Sequence, residues 1–576
     1  MSTEEKHPQT DVINSSTQGS HSVEKSSRDD EYAGDNLGSD IQIDDEGREP
    51  TDHEMETLRH VSESIPISCW LVAIVELAER FSYYGLSAPF QNYMQFTPEH
   101  SPKGMLGLKQ QGATALSYFF QFWCYVTPIL GGWISDTYWG KYKTIFVFCV
   151  IYIVGIFLLF ITSVPSITSK STATGGYIAA IIIIGLGTGG VKSNVSPLIA
   201  DQIPKKKPYI KVTKKGERVI VDPNITVQNV FMFFYLMINI GSLSVIATTQ
   251  MEAHIGFWSS YLLTFCFFFI AIAALIVGRN KYVKVPVGDK IVNKTFKCVW
   301  VGIINGFNFD AAKPSVKPEK SYPWDDHFVD EVKRTISACK VFVWYPIYWV
   351  QYNGMMNMFV SSAAGMSRDI PNDFLTVFDS VAIIVFIPIF ERFLYPFVRH
   401  FTPFKPITKI FWGFMFGSGA MVYAAVLQHY IYKAGPCYDH PLDCPNGNHI
   451  NIGLQTPAYV LIAISEILAS ITGLEYAYTK APVQMKSLVM AMFLLTNAVG
   501  AAIGIALSSV SVDPKMVWTY SGLAVSCFIA GCLFLTLFKH YNKKEDEWNN
   551  LEYEANIEEA ALMPVSSLTP SRKSIA

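Results

Sequence analysis

From Ile67 onward the chain is written as long apolar runs separated by short polar breaks. "TIFVFCVIYIVGIFLLFITSV", "FWSSYLLTFCFFFIAIAALIVG" and "SLVMAMFLLTNAVGAAIGIALSS" show the type. Each run is about 20 to 28 residues, long enough to cross roughly 30 Å of hydrocarbon as a helix. A soluble core would not repeat such runs end to end. Twelve membrane helices are predicted, beginning near Ile67, Gln110, Tyr142, Gly175, Thr226, Ile255, Thr335, Asp373, Ile407, Leu454, Lys486 and Lys515. They are spans 1 to 12 below. The longest hydrophilic break, at residues 280–334, divides them six plus six. The predicted organisation is a tail (1–65), a six-helix bundle (66–279), a linker (280–334), a second six-helix bundle (335–540) and a tail (541–576).

Lys and Arg in the breaks set the orientation. The break after span 2 has Lys141 and Lys143, that after span 4 reads "IPKKKPYIKVTKKGER", and that after span 8 has Arg392, Arg399, Lys405 and Lys409. Breaks after odd-numbered spans hold few such residues: Lys103, Lys170, Arg368 and Lys433. Even-numbered breaks and both termini are therefore expected in the cytoplasm. The residues before Ile67 are Ser-rich and acidic and read as a disordered tail, not a signal peptide. The tail after Tyr541 is similar, with partial helix expected in "NKKEDEWNNLEYEANIEEAALM".

Composition agrees with a membrane protein. Only 16% of the 576 residues are charged, against roughly 25% in soluble domains. The net charge of −3 supports no nucleic-acid partner. Most of the ten cysteines lie inside spans as small packing residues. Cys437 and Cys444 fall in a break placed outside, where the compartment allows a disulfide.

Against this background "ELAERFSYYGLSAPF" stands out, because Glu76, Glu79 and Arg80 interrupt span 1 at its centre. Glu76, Glu79, Arg80, Tyr83 and Ser87 share one helical stripe. Three charges facing lipid would cost on the order of 8 kcal/mol, so the stripe must face a polar interior. Other spans add Lys192, Asn239, Asp379, Glu466 and Glu475 at depth. Arg80 and Lys192 come from the first half, Asp379 and Glu466 from the second. Together they outline one bipolar cavity, fit for a small zwitterion with a carboxylate at one end and an ammonium at the other. Glu475 lies near the end of span 10 and is read as structural. Gly187, Gly189 and Gly190 are read as close helix contacts. No nucleophile–base pair, metal-ligand spacing or nucleotide loop is present, so neither an enzyme nor a cofactor is predicted.

"ELAERFSYYG" resembles the ExxERFxYY signature of the proton-dependent oligopeptide transporters, the POT or PTR branch of the major facilitator superfamily. "GGWISDTYWGKYKTI" is similar to that family's loop between spans 2 and 3. "GLGTGGVKSNVSPLIADQ", "FYLMINIGSL" and "SEILASITGLEYAYTKAPVQMKS" are similar to its signatures on spans 4, 5 and 10. The matches run from about residue 70 to about 500 in family order. The long acidic tail, the basic insert after span 4 and the lack of extra spans between the halves look like the fungal di- and tripeptide transporters.

The resemblance implies the major facilitator fold and import of di- and tripeptides with protons across the plasma membrane. It implies proton coupling and carboxylate binding at Glu76, Glu79, Arg80 and Lys192. Asn239 and Glu466 match positions that hold the peptide N-terminus, and Tyr83, Tyr84, Tyr125 and Trp349 match aromatic lining. Asp379 stands where bacterial and animal relatives usually have Asn, which strengthens ammonium binding or adds a proton acceptor. Many relatives pair an Arg after the motif with an acid on span 7; here the matching positions are Ser87 and Asn353, which can still hydrogen-bond. Asp136 and Lys141 are expected to latch the cytoplasmic face, with Asp136 capping a neighbouring helix start. Glu76→Gln is the substitution expected to uncouple peptide from protons. Two rivals stand: a proton-coupled carrier of another small anion such as nitrate, and a peptide-binding nutrient receptor without net transport. Tail sites at Lys6, Lys25 and "SSLTPSRKS" are expected to meet a kinase or ubiquitin ligase.

Overall fold

The computed structural model describes residues 47–165, 169–203, 207–213, 216–285, 291–316, 322–401, 405–480 and 485–541. Most of both tails, Lys6, Lys25 and "SSLTPSRKS" lie outside the described residues, as do parts of the basic insert and linker. The described residues fall into two compact units.

The larger unit holds all twelve expected helices. Span 1 is Ile67–Ser87, span 2 Lys109–Ile134, span 3 Lys141–Thr162 and span 4 Lys170–Lys192, which continues as Val195–Asp201. Span 5 is Pro223–Ser242 with Ser244–His254, and span 6 is Phe257–Gly278. Span 7 starts at Tyr345–Gly354 and span 8 at Val377–Ile389; span 9 is Pro406–Lys433. Span 10 starts at Thr456–Glu466, span 11 is Lys486–Leu507 and span 12 Met516–Phe538. Among the described residues nine helices are long and apolar enough to cross a membrane by length and composition. Span 1 falls outside that group because it carries Glu76, Glu79 and Arg80. Among its described residues the break at 280–334 contains Ile291–Ile304, the 3-10 turn Phe309–Ala312 and the start of Asp326–Cys339, which leads into span 7.

The apolar core is divided as the chain is. One cluster draws its buried residues from Cys69 to Tyr282, and separate clusters draw theirs from Val341 to Phe538. Spans 3 and 2 both meet span 4 through glycine: a Cβ on Gly190 would lie 2.0 Å from Phe148 of span 3, and one on Gly131 of span 2 would lie 2.6 Å from Gly190 Cα. The glycine run of span 4 thus brings backbones together, the usual way helices pack in lipid. Spans 2, 7, 8 and 10 each contain one π-helical turn, at Ser135–Trp139, Met355–Phe359, Phe390–Leu394 and Ile467–Ile471. Such turns rotate the following face and are frequent at functional sites. Cys437 and Cys444 are joined in a disulfide.

The smaller unit corrects one expectation. The segment before residue 65 was expected to be disordered, yet Asp52–Thr57 is helical, with Thr51 and Glu54 forming a capping box. Strands Tyr209–Val212 and Arg218–Val221 pair antiparallel in the same unit. Glu54 accepts from Arg48 at 2.9 Å and from Arg218 at 2.7 Å. The Arg48 and Thr51 hydrogen bonds hold its carboxyl down at about 2. Order here comes from paired charges, which composition alone reads as a solvated tail.

Candidate functional site

Span 1 supplies the first wall. Glu76, Glu79, Arg80 and Tyr83 are all buried on it. Arg80 Nε donates to Glu76 Oε1 at 2.8 Å and lies 3.2 Å from Glu79 Oε2. The second contact is an ion pair without hydrogen-bond alignment, and neither Glu79 oxygen has a hydrogen-bond partner among the described residues. Two acids thus compete for one guanidinium that aligns with only one of them. Span 5 approaches this point closely because residue 241 is glycine: a Cβ there would lie 2.7 Å from Arg80 Cβ and 2.9 Å from Phe81 N. Gly241→Ala is expected to push Arg80 out of register, lowering dipeptide uptake more than thermal stability; uptake and melting curves on one preparation check this.

Lys192 ends the first helical segment of span 4. Its ammonium sits 3.7 Å from the Tyr125 ring centroid and 5.7 Å from that of Tyr83, and a cation over an aromatic face is attracted by the ring quadrupole. Arg80, Glu79 and Glu76 are its charged neighbours. Tyr83 also packs on Tyr84 and Phe120.

The second half supplies acids. Asp379 on span 8 has Glu466 on span 10 as its charged neighbour, and Tyr352 on span 7 adjoins Glu466. Asp379 Oδ1 and Glu466 Oε2 have no hydrogen-bond partner among the described residues. The π turn of span 10 begins at the residue after Glu466.

Tyrosines join the two poles. Tyr84 has Arg80, Glu466 and Asp379 among its charged neighbours. Tyr125 likewise neighbours Arg80, Glu79 and Glu466. Two further tyrosines, absent from the sequence reading, share the position. Tyr235 neighbours Glu466, Tyr84, Asp379 and Asn239, and Tyr352 neighbours Glu466, Asp379, Tyr84 and Tyr125. Asn239 donates to the Tyr235 carbonyl at 2.9 Å and so helps place that helix turn.

Several expected residues lie elsewhere or bond differently. Trp349 donates to Thr496 at 3.0 Å and packs with Tyr345, Tyr348, Tyr352 and Phe493, inside the aromatic core of the second half. Asn353 donates to Asn497 at 2.9 Å, and Ser87 bonds the Tyr84 carbonyl of its own helix, so the two do not bond each other. Lys141 pairs with Asp201 at 2.6 Å and is also a charged neighbour of Asp136. Among the described residues no hydrogen bond joins Asp136 to the next helix, where Gly140 stands at the cap. Glu475 is exposed.

A model of the POT family matches residues 142–523. The chain is 66% identical to the peptide transporter PTR_A of Candidozyma auris over 92% of this chain and 91% of that one. It belongs to the POT family. It is 63% identical to the peptide transporter PTR2 of Saccharomyces cerevisiae over 90% of this chain and 86% of that one. A model of the major facilitator superfamily matches residues 40–209. The crystal structure of the POT family transporter PepTSo superposes with a TM-score of 0.66 at 20% identity, over 84% of this chain and 99% of that one. The fold is thus that of the major facilitator superfamily, with twelve helices in two six-helix bundles. In this POT family member the span 1 motif and the span 8 and span 10 acids meet a common set of tyrosines.

Proposed function

We propose that this protein is a symporter that imports di- and tripeptides together with protons by alternating access. One observation carries the reading: Tyr84 and Tyr125 each neighbour Arg80 of the first half and Glu466 of the second. A site with cations at one pole and, at the other, acids that each keep an oxygen without a partner among the described residues matches a zwitterion. Arg80 and Lys192 receive the peptide carboxylate; Glu466 and Asp379 receive the ammonium. Tyr83, Tyr84, Tyr125, Tyr235 and Tyr352 face the backbone and side chains, and Asn239 supports the ammonium end.

Coupling follows from competition for Arg80. When the peptide carboxylate takes the guanidinium, Glu76 and Glu79 lose their counter-charge, and protonation removes the resulting repulsion. Peptide and proton then favour each other's binding, a coupling that is reciprocal by linkage. The two bundles, divided at 280–334, rock about the midplane site. Even-numbered breaks and both tails are assigned to the cytoplasm and the protein to the plasma membrane, with the Lys141–Asp201 pair inside the first bundle at the cytoplasmic face. The tails are assigned to regulation by a kinase or ubiquitin ligase.

A carrier of nitrate would leave Glu466 and Asp379 without a task, and a receptor without net transport would not concentrate peptide. Uptake of labelled dipeptide at several external pH values, with an ionophore control, separates these readings. Uptake is expected to rise as the outside is acidified and to stop with the ionophore. N-acetylated dipeptide is expected to be taken up at least about tenfold less well, since a lost charge-assisted contact costs roughly 1.5–3 kcal/mol. Equal uptake of the blocked peptide would overturn the assignment of ends.

A further inference from the structure

A second buried acid pair lies away from the central site. Glu252 is near the end of span 5 and Asp373 immediately precedes the helical stretch Phe374–Val398 of span 8. The two carboxyls lie within hydrogen-bonding reach of each other, although one comes from each half. Glu252 is 7% exposed and Asp373 fully buried. Two carboxylates cannot share such a site as anions; one must hold a proton.

The surroundings say which. Asp373 is the N-cap residue of the helix start Phe374–Thr376, where the helix dipole favours negative charge although its side chain caps no N–H there. Glu252 Oε1 accepts from Asn92 at 3.2 Å, while its Oε2 and both Asp373 oxygens have no other partner among the described residues. A hydrogen on Oε2 donated to Asp373 gives these orphaned oxygens a partner and leaves Oε1 free to accept from Asn92. Asn92, on the short helix Phe90–Gln95 that follows span 1, and Asn372 exchange hydrogen bonds at 3.0 and 2.8 Å beside the pair. An apolar cluster of Ala88, Val245 and Val377, with Tyr84 and Phe374, joins the same three spans.

Independent of the acids, the hydroxyl of the fully buried Tyr261 faces this pair and has no hydrogen-bond partner among the described residues. Tyr459 also faces Asp373, and Tyr93 adjoins Tyr261. Asp379 lies further down span 8. Nearby cations are engaged elsewhere: Arg368 donates to the carbonyls of Ala364, Ser101 and Pro445, His100 bonds the Leu442 carbonyl, and the exposed His254 bonds the Gln250 carbonyl. Among the described residues no cation adjoins the closed pair to make it stable as two anions.

We propose that Glu252 and Asp373 are a second proton-binding site, a latch that joins the outer ends of the two halves only while one proton is shared between them. The assignment of this end to the outside rests on the orientation given under Proposed function. Opening separates the carboxyls into water, and the Glu252 proton leaves to the outer solution, as a solvated carboxyl ionises near pH 4. Closing takes one proton back. The proton is not carried across by this step; it sets how readily the empty transporter closes to an acidic exterior.

The test needs no transport. Distance labels are introduced as unnatural amino acids at Glu99 and Ser509, exposed positions at the same end in opposite halves. Distances are measured on the full chain in lipid nanodiscs, without peptide, from pH 5 to pH 8. The expected result is one short distance at pH 5 and a growing long one toward pH 8. The open-to-closed ratio changes by up to about tenfold per pH unit, the limit for one proton. Glu252→Gln donates to Asp373 without a proton and is expected to stay closed throughout. Glu252→Ala strands a buried carboxylate and is expected to open even at pH 5. A wild-type distance that ignores pH, or a Glu252→Gln variant that keeps the wild-type dependence, overturns the latch. Neither result bears on peptide uptake, which the ionophore experiment reads separately.

Discussion

Arg80→Ala is expected to abolish dipeptide uptake while the protein still reaches the membrane. Arg80 is the cation within ion-pair distance of both Glu76 and Glu79. Removing one partner of a buried pair costs about 3–5 kcal/mol, which is roughly 100- to 4,000-fold in a binding constant. Two losses combine in this variant. The peptide carboxylate loses its guanidinium, and two buried acids face each other with Lys192 as their remaining charged neighbour. Arg80→Ala with Glu76→Gln separates them. It removes one stranded charge, so thermal stability is expected to recover while uptake is not. Arg80→Lys is expected to recover part of the uptake, because an ammonium restores charge without the planar fork that aligns with a carboxylate. Measured uptake within about threefold of wild type in Arg80→Ala would remove Arg80 from the substrate site; that ratio is worth only about 0.6 kcal/mol.

What the sequence revealed, and what it hid, follows one physical line. Intramembrane charges are costly wherever they face lipid, so Glu76, Glu79, Arg80, Lys192, Asp379 and Glu466 were visible as exceptions in apolar runs. The structure brings all six to shared neighbours. Tyrosines carry no such signal, because a tyrosine in a span looks the same whether it packs or lines a cavity. Trp349 was expected in the cavity and is bonded to Thr496; Tyr352, three positions on, stands beside Glu466 instead. Tyr235 in "FFYLMINIG" was equally silent. The π turns at Met355–Phe359 and Ile467–Ile471 add to the difficulty, since each shifts the face that regular helical spacing assigns. Long-range amide pairs such as Asn353–Asn497 and Asn92–Asn372 have no local pattern at all. Glu252 and Asp373 looked like ordinary residues at helix ends, and only the approach of spans 5 and 8 makes them a pair.

The second large effect is expected from Glu79→Gln, which should end accumulation of peptide against a gradient and spare counterflow exchange. Helical spacing put Glu76 and Glu79 on equal terms, with Glu76→Gln as the uncoupling substitution. Geometry separates them. Glu76 accepts the aligned hydrogen bond from Arg80 Nε at 2.8 Å, while Glu79 is fully buried with neither oxygen hydrogen-bonded among the described residues. A carboxylate held by an aligned guanidinium has its charge compensated; a buried one without aligned donors gains most from a proton once peptide occupies the cation. Glutamine at position 79 keeps the shape and stays neutral, so the binding-competent state no longer waits for a proton. With one proton moved per peptide, a difference of one pH unit supplies about 1.4 kcal/mol and supports about tenfold accumulation. In Glu79→Gln the inside-to-outside ratio should fall to about one, the value for a carrier with no proton drive. Glu76→Gln should lose uptake rate through weaker positioning of Arg80 yet still concentrate peptide. Reconstituted vesicles with an imposed pH gradient measure both ratios, and a Glu79→Gln variant that concentrates peptide as well as wild type would transfer the coupling role to another acid of the cavity.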